Sequence, residues 1–237
     1  MATSFKTIES SKRGLNMQVA AAIAARILSG DIAENEAIPS EMTLCEQMGI
    51  SRTTIREATK LLASKGLLES RPKTGTRVMP RTHWNVLDPQ ILEWMTASAD
   101  PAVLLTQFLG LRRSIEPEAC ALAAVNATAS QRIAISEAFQ GMVAVSKDFD
   151  QAAWQEVDLR FHSLIFQSSG NLFFIPFGNI LRSVYANFFN HSSEEGGMCL
   201  NEHRAIYDAI MAGDAERSRH ASLVLLQEEK HRLATGA

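Results

Sequence analysis

Apolar positions recur at helical spacing along most of the chain, and the few breaks in that rhythm divide it into elements. Between residues 16 and 29, Val19, Ala22, Ile23, Ile27 and Leu28 keep a helical period, and Gly30-Asp31 stops the run. Pro39-Ser40-Glu41 opens a second helix, with Ser40 as N-cap, Glu41 suited to the positive end of the helix dipole, and Leu44 and Met48 facing inward. Gly49 supplies a turn, Ile50 fills the corner, and Ser51 caps a third helix whose apolar face is Ile55, Ala58 and Leu62. The period then shortens to two. Leu67 to Arg71 predicts a strand, Pro72-Lys73-Thr74-Gly75 its turn, and Thr76-Arg77-Val78 the return. A short helix, a tight turn, a second helix rich in Arg and Thr and a glycine-tipped hairpin make a winged helix-turn-helix.

After a polar-aromatic joint beginning at Arg81, the pattern is helical almost to the end. Pro101 opens a long helix through Leu104, Leu105, Phe108, Leu109, Leu111 and Ile115 to Val125. Further helices are expected at about 130–146, 150–168, 172–190, 200–212 and 214–233, broken by Ser168-Ser-Gly-Asn, residues 192–197 and Gly213-Asp214. The fold class expected is mainly α, an N-terminal winged helix-turn-helix followed by an all-α helical bundle. The working division is an N-terminal extension at 1–13, the winged domain at 14–80, a linker and connecting helix at 81–99, and the bundle at 100–233.

Charge sharpens this division. The 237 residues carry a net charge of -3, which taken alone argues against nucleic acid. Residues 1–81, however, hold 12 Lys+Arg against 8 Asp+Glu, a balance of +4, and residues 82–237 hold 11 against 18, a balance of -7. Within 51–81 the count is 8 basic to 2 acidic, so positive charge concentrates on the third helix and the hairpin, where phosphates would be met. The three cysteines, Cys45, Cys120 and Cys199, are odd in number and widely spaced, which supports neither a disulfide framework nor a zinc ribbon. No apolar leader and no uninterrupted apolar window of about 18 residues is present, so a cytoplasmic chain with no membrane partner is expected.

The winged domain supplies the DNA-binding candidates. Arg52, Thr53 and Thr54 fall in the first turn of the third helix, the part that reaches base edges in helix-turn-helix proteins. Arg52 is the first candidate for bonding guanine O6 and N7 together, and Arg56, four residues on, for a phosphate. Lys60 and Lys65 are weaker candidates. Ser40 and Ser51 stand at the starts of the two helices, and Lys73, Gly75 and Arg77 would bring the wing to the backbone or minor groove.

These residues carry a resemblance. Ile38-Pro39-Ser40-Glu41, Ser51-Arg52, Arg56-Glu57-Ala58 and Gly75-Thr76 resemble the signature of GntR-family transcriptional regulators. Met42 stands where many members have a DNA-contacting Arg, so that contact is expected to be absent. The resemblance implies a homodimeric regulator, most often a repressor, on a palindromic operator in double-stranded DNA.

In the bundle, Asp158 and His162 lie at i and i+4 on one helical face, within joint reach of a single ion, and His203 opens a later helix that can converge on them. The motifs Leu111-Arg112-Arg113-Ser114-Ile115-Glu116-Pro117-Glu118, Asp158 to His162, and Glu202-His203-Arg204-Ala205-Ile206 with Ala212-Gly-Asp-Ala resemble the FCD ligand-binding domain of the FadR-type branch. That resemblance implies a divalent metal, Zn²⁺ first, on an Asp and three His, of which Asp158, His162 and His203 are present. Leu225 occupies the expected position of the third His, and His220 lies five residues away on another face. An incomplete set leaves a position for water or for an effector's carboxylate or hydroxyl.

An anionic effector calls for a cation, and Arg112 is the first candidate, because a guanidinium grips a carboxylate bidentately. Arg113 is expected to pair with Glu116, Arg232 is a second clamp, and Asn187, Asn190 and His191 are candidates for hydroxyl contacts. The segment Trp84-Asn85-Val86-Leu87-Asp88 with Ile91-Leu92-Glu93-Trp94 is similar to that of bacterial galactonate operon repressors, which implies a sugar acid such as an aldonate or hexuronate. Residues 79–90 are where domain orientation is expected to change on effector binding. Two other readings remain: a metal-dependent enzyme acting on sugar acids through Asp158, His162 and His203, and a regulator of an apolar or fatty acyl ligand.

Overall fold

The computed structural model describes residues 14–71, 75–98, 100–188 and 199–227. The chain divides into two compact units, Met1–Asp100 and Pro101–Ala237, each with its own core. The fold is mainly α, and among the described residues no helix is long and apolar enough to cross a membrane.

In the first unit, α1 (Leu15–Leu28), α2 (Glu41–Met48) and α3 (Arg52–Ser64) enclose Val19, Ile23, Leu44, Met48, Ile55, Ala58 and Leu62, all completely or almost completely buried. The helix starts are fixed by side chains. Ser40 Oγ accepts from the Thr43 N–H at 3.2 Å, and Ser51 Oγ from the Thr54 N–H at 3.3 Å, caps worth about 1 kcal/mol each. Between the two helices Gly49 takes a left-handed φ of 69°, and Ile50 closes the corner in the core.

The hairpin forms as β1 (Leu68–Arg71) antiparallel to β2 (Gly75–Val78), in a register running from Leu68 opposite Val78 to Arg71 opposite Gly75. A feature the sequence pattern does not suggest lies on the other edge of β2. There the Val78 N–H donates to Glu36 O at 2.9 Å and the Ile38 N–H to Thr76 O at 3.0 Å, so the chain before α2 covers that edge.

A short 3-10 turn (Arg81–His83) leads to α4 (Pro89–Ser98). This helix packs on α1, with Ile91 and Trp94 in the same apolar cluster as Val19 and Ile23, so it is part of the first unit's core. The end of α3 is stitched to the joint. Gly66 has a φ of +76°, and a Cβ there would lie 2.0 Å from His83 O. The Asn85 N–H donates to Lys65 O at 3.0 Å, and Lys65 Nζ bonds both Asp88 oxygens at 2.8 and 2.7 Å. Lys65, expected as a weak DNA contact, is therefore a buried structural residue, because Asp88 offers it a carboxylate at the edge of the core.

The second unit is a bundle of α5 (Pro101–Asn126), α6 (Ala129–Val145), α7 (Gln151–Ser168), α8 (Ile175–Phe188), α9 (Leu200–Ala212) and α10 (Ala215–Leu225). The long α5 packs on α10, α7 and α9, while α6 lies on α7 and α9. Phe139 stacks on Tyr207 with ring centroids 4.6 Å apart, and Phe161, Ile165 and Phe166 of α7 are fully buried. Arg132 ties three carbonyls together, donating from Nε to Ala127 O at 3.2 Å, from Nη2 to Ala124 O at 2.7 Å, and from Nη1 to Ile210 O. Two boundaries depart from expectation. The α8 helix starts at Ile175 rather than near 172, because Asn171 Oδ1 accepts the Phe173 N–H at 3.0 Å and holds a turn there. The α10 helix ends at Leu225, and residues 228–233 of the expected helix lie outside the described residues.

Candidate functional site

Two sets of side chains stand apart from ordinary packing, one in each unit. In the first unit Ser51, Arg52, Thr53 and Arg56 are exposed on α3, opposite its buried Ile55, Ala58 and Leu62. Thr54 is only partly exposed, with its hydroxyl 2.9 Å from Ser51 Oγ, and Ser40 Oγ lies 2.8 Å from Thr43 Oγ1, so these hydroxyls already serve the caps. On the wing, Gly75 is exposed with φ +82°, and Arg77 is exposed with Nη1 donating to Asn35 O at 2.9 Å. Lys60 is exposed and pairs with Glu57 at 3.1 Å. Lys73 lies outside the described residues.

A carboxylate sits among these cations. Glu41, the first residue of α2, accepts from Arg56 Nε through both oxygens, at 3.1 and 2.9 Å, and Arg52 Nη2 lies 3.8 Å from Glu41 Oε2. Beside it the Met42 side chain, which carries no charge, is 65% exposed.

In the second unit, one turn of α7 presents Asp158 and His162, and α9 brings His203 to them. His203 Nε2 is 2.9 Å from Asp158 Oδ1, His162 Nε2 is 3.6 Å from the same oxygen, and the two Nε2 atoms are 3.2 Å apart. All three residues are buried, and their ligand atoms lie within 4.8 Å of one another, a group that could hold a metal ion.

Both rings are oriented from behind. His203 Nδ1 lies 2.8 Å from the Cys199 carbonyl, which can only accept, so Nδ1 carries a proton and Nε2 is the atom turned toward Asp158. The Glu116 carboxylate, from α5, contacts His162 Nδ1 and favours the same tautomer. With each imidazole protonated at Nδ1 alone, two Nε2 lone pairs and a carboxylate oxygen would converge, and a divalent ion among them would satisfy all three, in place of the proton that His162 holds in the ion's absence. The donor set therefore fits a divalent ion.

The electrostatics follow from this arrangement. Burial works against the Asp158 charge, but His162 and His203 outweigh it and hold the carboxyl well below the usual carboxylate range. Burial likewise opposes the Glu116 charge, and Arg112 and His162 overcome it, again depressing the carboxyl. Burial alone would lower His162; the Glu116 and Asp158 carboxylates raise it instead, to about 9. The cluster attracts positive charge.

Arg112 stands behind the cluster, where its Nε and Nη2 donate to Glu116 at 2.7 and 3.2 Å. The expected partner of Glu116 was Arg113, and the pairing is corrected: Arg112 and Glu116 share the inward face of α5, while Arg113 donates to Leu226 O at 2.7 Å. Leu225 is buried in α10, and His220 is exposed. Asn187 lies in α8, with its side chain outside the described residues; Asn190, His191 and Arg232 lie outside them altogether.

The FCD domain model matches residues 107–228, and the model of bacterial regulatory proteins of the gntR family matches residues 15–78. The HTH-type transcriptional regulator YieP of Escherichia coli (strain K12) is 36% identical over 216 residues, covering 91% of this chain and 94% of its own. The chain belongs to the GntR family. It is a DNA-binding transcriptional regulator of the FadR-type branch, with a helix-turn-helix domain followed by an FCD domain.

Other relatives of this GntR regulator differ in the direction of their output. The galactonate operon transcriptional repressor of Escherichia coli (strain K12) is 30% identical over 88% of this chain and 92% of its own. The Glc operon transcriptional activator of the same strain is 27% identical over 81% and 78%. Among solved structures, Lar, which controls the expression of the Listeria monocytogenes agr system, shares the fold with a TM-score of 0.61 at 16% identity, over 93% of this chain and 97% of its own.

Two acidic residues of the GntR regulator, Glu41 and Glu116, touch candidate site residues without being expected at either site. Glu41 belongs to the Pro39-Ser40-Glu41 signature and to the first turn of α2, but no local pattern joins it to an arginine 15 residues on. Glu116 carried a usable signal. With Phe108 and Arg112 it falls at successive i+4 steps on the buried stripe of α5, where a paired Arg and Glu are neither solvated nor inert.

Proposed function

We propose that this GntR regulator is a homodimeric repressor of a sugar-acid catabolic operon, released from a palindromic operator when a small carboxylate effector binds the helical bundle. The observation that carries the effector class is the hydrophilic cluster of Arg112, Glu116, Asp158, His162 and His203, each no more than 3% exposed inside an apolar bundle. Such a set costs too much desolvation to suit an apolar ligand and matches a polar anionic one. Likeness to a galactonate operon repressor over 92% of that protein supports the sugar acid.

In this reading residues 14–80 bind DNA, 100–233 bind effector, and 81–99 join them. Ser40, Ser51, Arg52, Thr53, Thr54, Arg56, Lys73, Gly75 and Arg77 meet the duplex. Arg52 bonds a guanine edge, and the wing residues follow phosphates. Asp158, His162 and His203 hold a divalent cation, which would supply positive charge and an exchangeable position to an effector's oxygen atoms. Arg112, Asn187, His191 and Arg232 orient the acid. To release DNA, the effector must favour the DNA-incompetent arrangement, since equal affinity for both would shift nothing. The metal-dependent enzyme reading finds no support, because the relatives are transcriptional regulators.

A thermal-shift panel of aldonates, hexuronates and fatty acids, run with and without a chelator, tests this reading. A cognate sugar acid at a hundredfold its Kd should stabilise the protein by about 2.7 kcal/mol, with the chelator weakening the effect. A response confined to fatty acids would overturn the effector class, and a sugar-acid response indifferent to chelation would remove the cation.

A further inference from the structure

We propose that Glu41 is a specificity-determining residue of the DNA interface, which holds the guanidinium groups of Arg52 and Arg56 and so trades affinity for arbitrary DNA against discrimination. The inference rests on the assignment of α3 as the DNA-reading helix and deepens it. Both Glu41 oxygens take the Arg56 Nε–H, at 3.1 and 2.9 Å, and Oε2 lies 3.8 Å from Arg52 Nη2. Glu41 can hold this place because Ser40 caps α2 and fixes the backbone of its first turn. An acid on a face built to meet phosphates is otherwise unfavourable, since it repels them.

A guanidinium carries five N–H donors in a rigid plane. With Nε bound to a carboxylate, the plane of Arg56 is set before DNA arrives, and its outer Nη edge remains for a base or a phosphate. An exposed arginine without such a partner can swing to whichever phosphate is nearest. Arg52 and Arg56 have side chains 69% and 58% exposed, so packing holds them little and the Glu41 carboxylate is the neighbour that restrains them. The same carboxylate offsets part of their positive charge and reduces the counterion release that drives non-specific binding. A surface ion pair of this kind adds little to stability, so a purely structural role would leave its removal nearly silent in DNA binding.

The test uses the full chain and two duplexes, one enriched from a random library by the wild-type protein and one scrambled version of it. Binding of both is measured across a salt series for wild type, Glu41→Gln and Glu41→Ala, and for the same changes in an Arg56→Ala background. Loss of the carboxylate should tighten binding to the scrambled duplex and steepen its plot of log K against log salt by about one. The ratio of affinities for the two duplexes should fall about tenfold, the size of one weakened base contact. In the Arg56→Ala background Glu41 substitutions should change the ratio far less, because the carboxylate acts mainly through that side chain. An unchanged ratio, equal weakening of both duplexes, or an undiminished effect without Arg56 would overturn the role of Glu41. A wild-type protein that enriches no duplex would instead remove the DNA-reading assignment of α3, and the proposal with it.

Discussion

Arg112 is 2% exposed in the bundle because Glu116, one turn further along α5, takes its guanidinium with hydrogen bonds of 2.7 and 3.2 Å. Its neighbour Arg113 is half-buried and spends its Nε–H on the carbonyl of Leu226. Removing each partner should therefore cost different amounts. Glu116→Ala deprives a buried cation of its counter-ion and is expected to lower the unfolding free energy by about 3–5 kcal/mol. Arg113→Ala loses one charge-assisted bond near the surface and should cost about 1–2 kcal/mol. Urea unfolding followed by circular dichroism measures both, and equal costs would contradict the burial argument. Which of two adjacent arginines meets the acid is hard to read from spacing, because i+3 and i+4 partners both come within reach. The buried stripe through Phe108 decides it. The Asp158–His162 pair was legible because one turn of helix fixes it, whereas the approach of His203 depends on how α9 packs.

At the scale of elements, caps and turns made the winged domain readable, since Ser40, Gly49 and Ser51 each mark a boundary by their own backbone chemistry. The start of α8 was misread for the opposite reason. Leu172 and Phe173 look like the inward face of a helix, yet they are 75% and 82% exposed in a turn held by Asn171. The joint between α3 and α4 yields a prediction of its own. Asp88 caps α4, with Oδ1 accepting from the N–H groups of Gln90 at 2.9 Å and Ile91 at 3.3 Å, and it also pairs with Lys65. Burial opposes its charge, but the Lys65 bond and the two backbone donors outweigh it and bring the carboxyl below its ordinary 3.8. A depressed carboxyl contributes stability that is present above the unfolded value and lost as pH falls through the folded one. The wild-type helix-turn-helix unit should therefore lose this contribution as pH drops below about 4. Asp88→Ala should cost about 1–3 kcal/mol at pH 7, from the cap and from the ion left behind at Lys65. In thermal melts at pH 7 and pH 3, the gap between variant and wild type should narrow at the lower pH; a gap that widened would refute the assignment.

Over the whole molecule, opposite charges are segregated along the chain, +4 in residues 1–81 and -7 in residues 82–237. DNA affinity should accordingly fall steeply with salt, by about 0.9 in log K per log unit of salt for each phosphate neutralised. On the proposed reading effector affinity is set in the buried cluster of the bundle, and it should respond far less, because buried charges are poorly screened. In the proposed switch the two sites form one thermodynamic system. If the acid identified by thermal shift weakens operator binding by some factor, operator must weaken binding of that acid by the same factor, within a range of about 5–150-fold. Calorimetric titration of the acid into free protein and into the protein–operator complex gives one factor, and operator titration with and without the acid gives the other. Asp158→Ala should lower acid affinity in both titrations without changing operator affinity in the acid's absence, since Asp158 lies in the bundle's core and the residues proposed to meet DNA lie on α3 and the wing. If Asp158→Ala weakened operator binding with no acid present, the cluster would be a determinant of the DNA-binding state itself. Unequal factors in the wild type would mean that the acid acts on a species outside the cycle, such as a change in assembly, and would overturn the two-site switch.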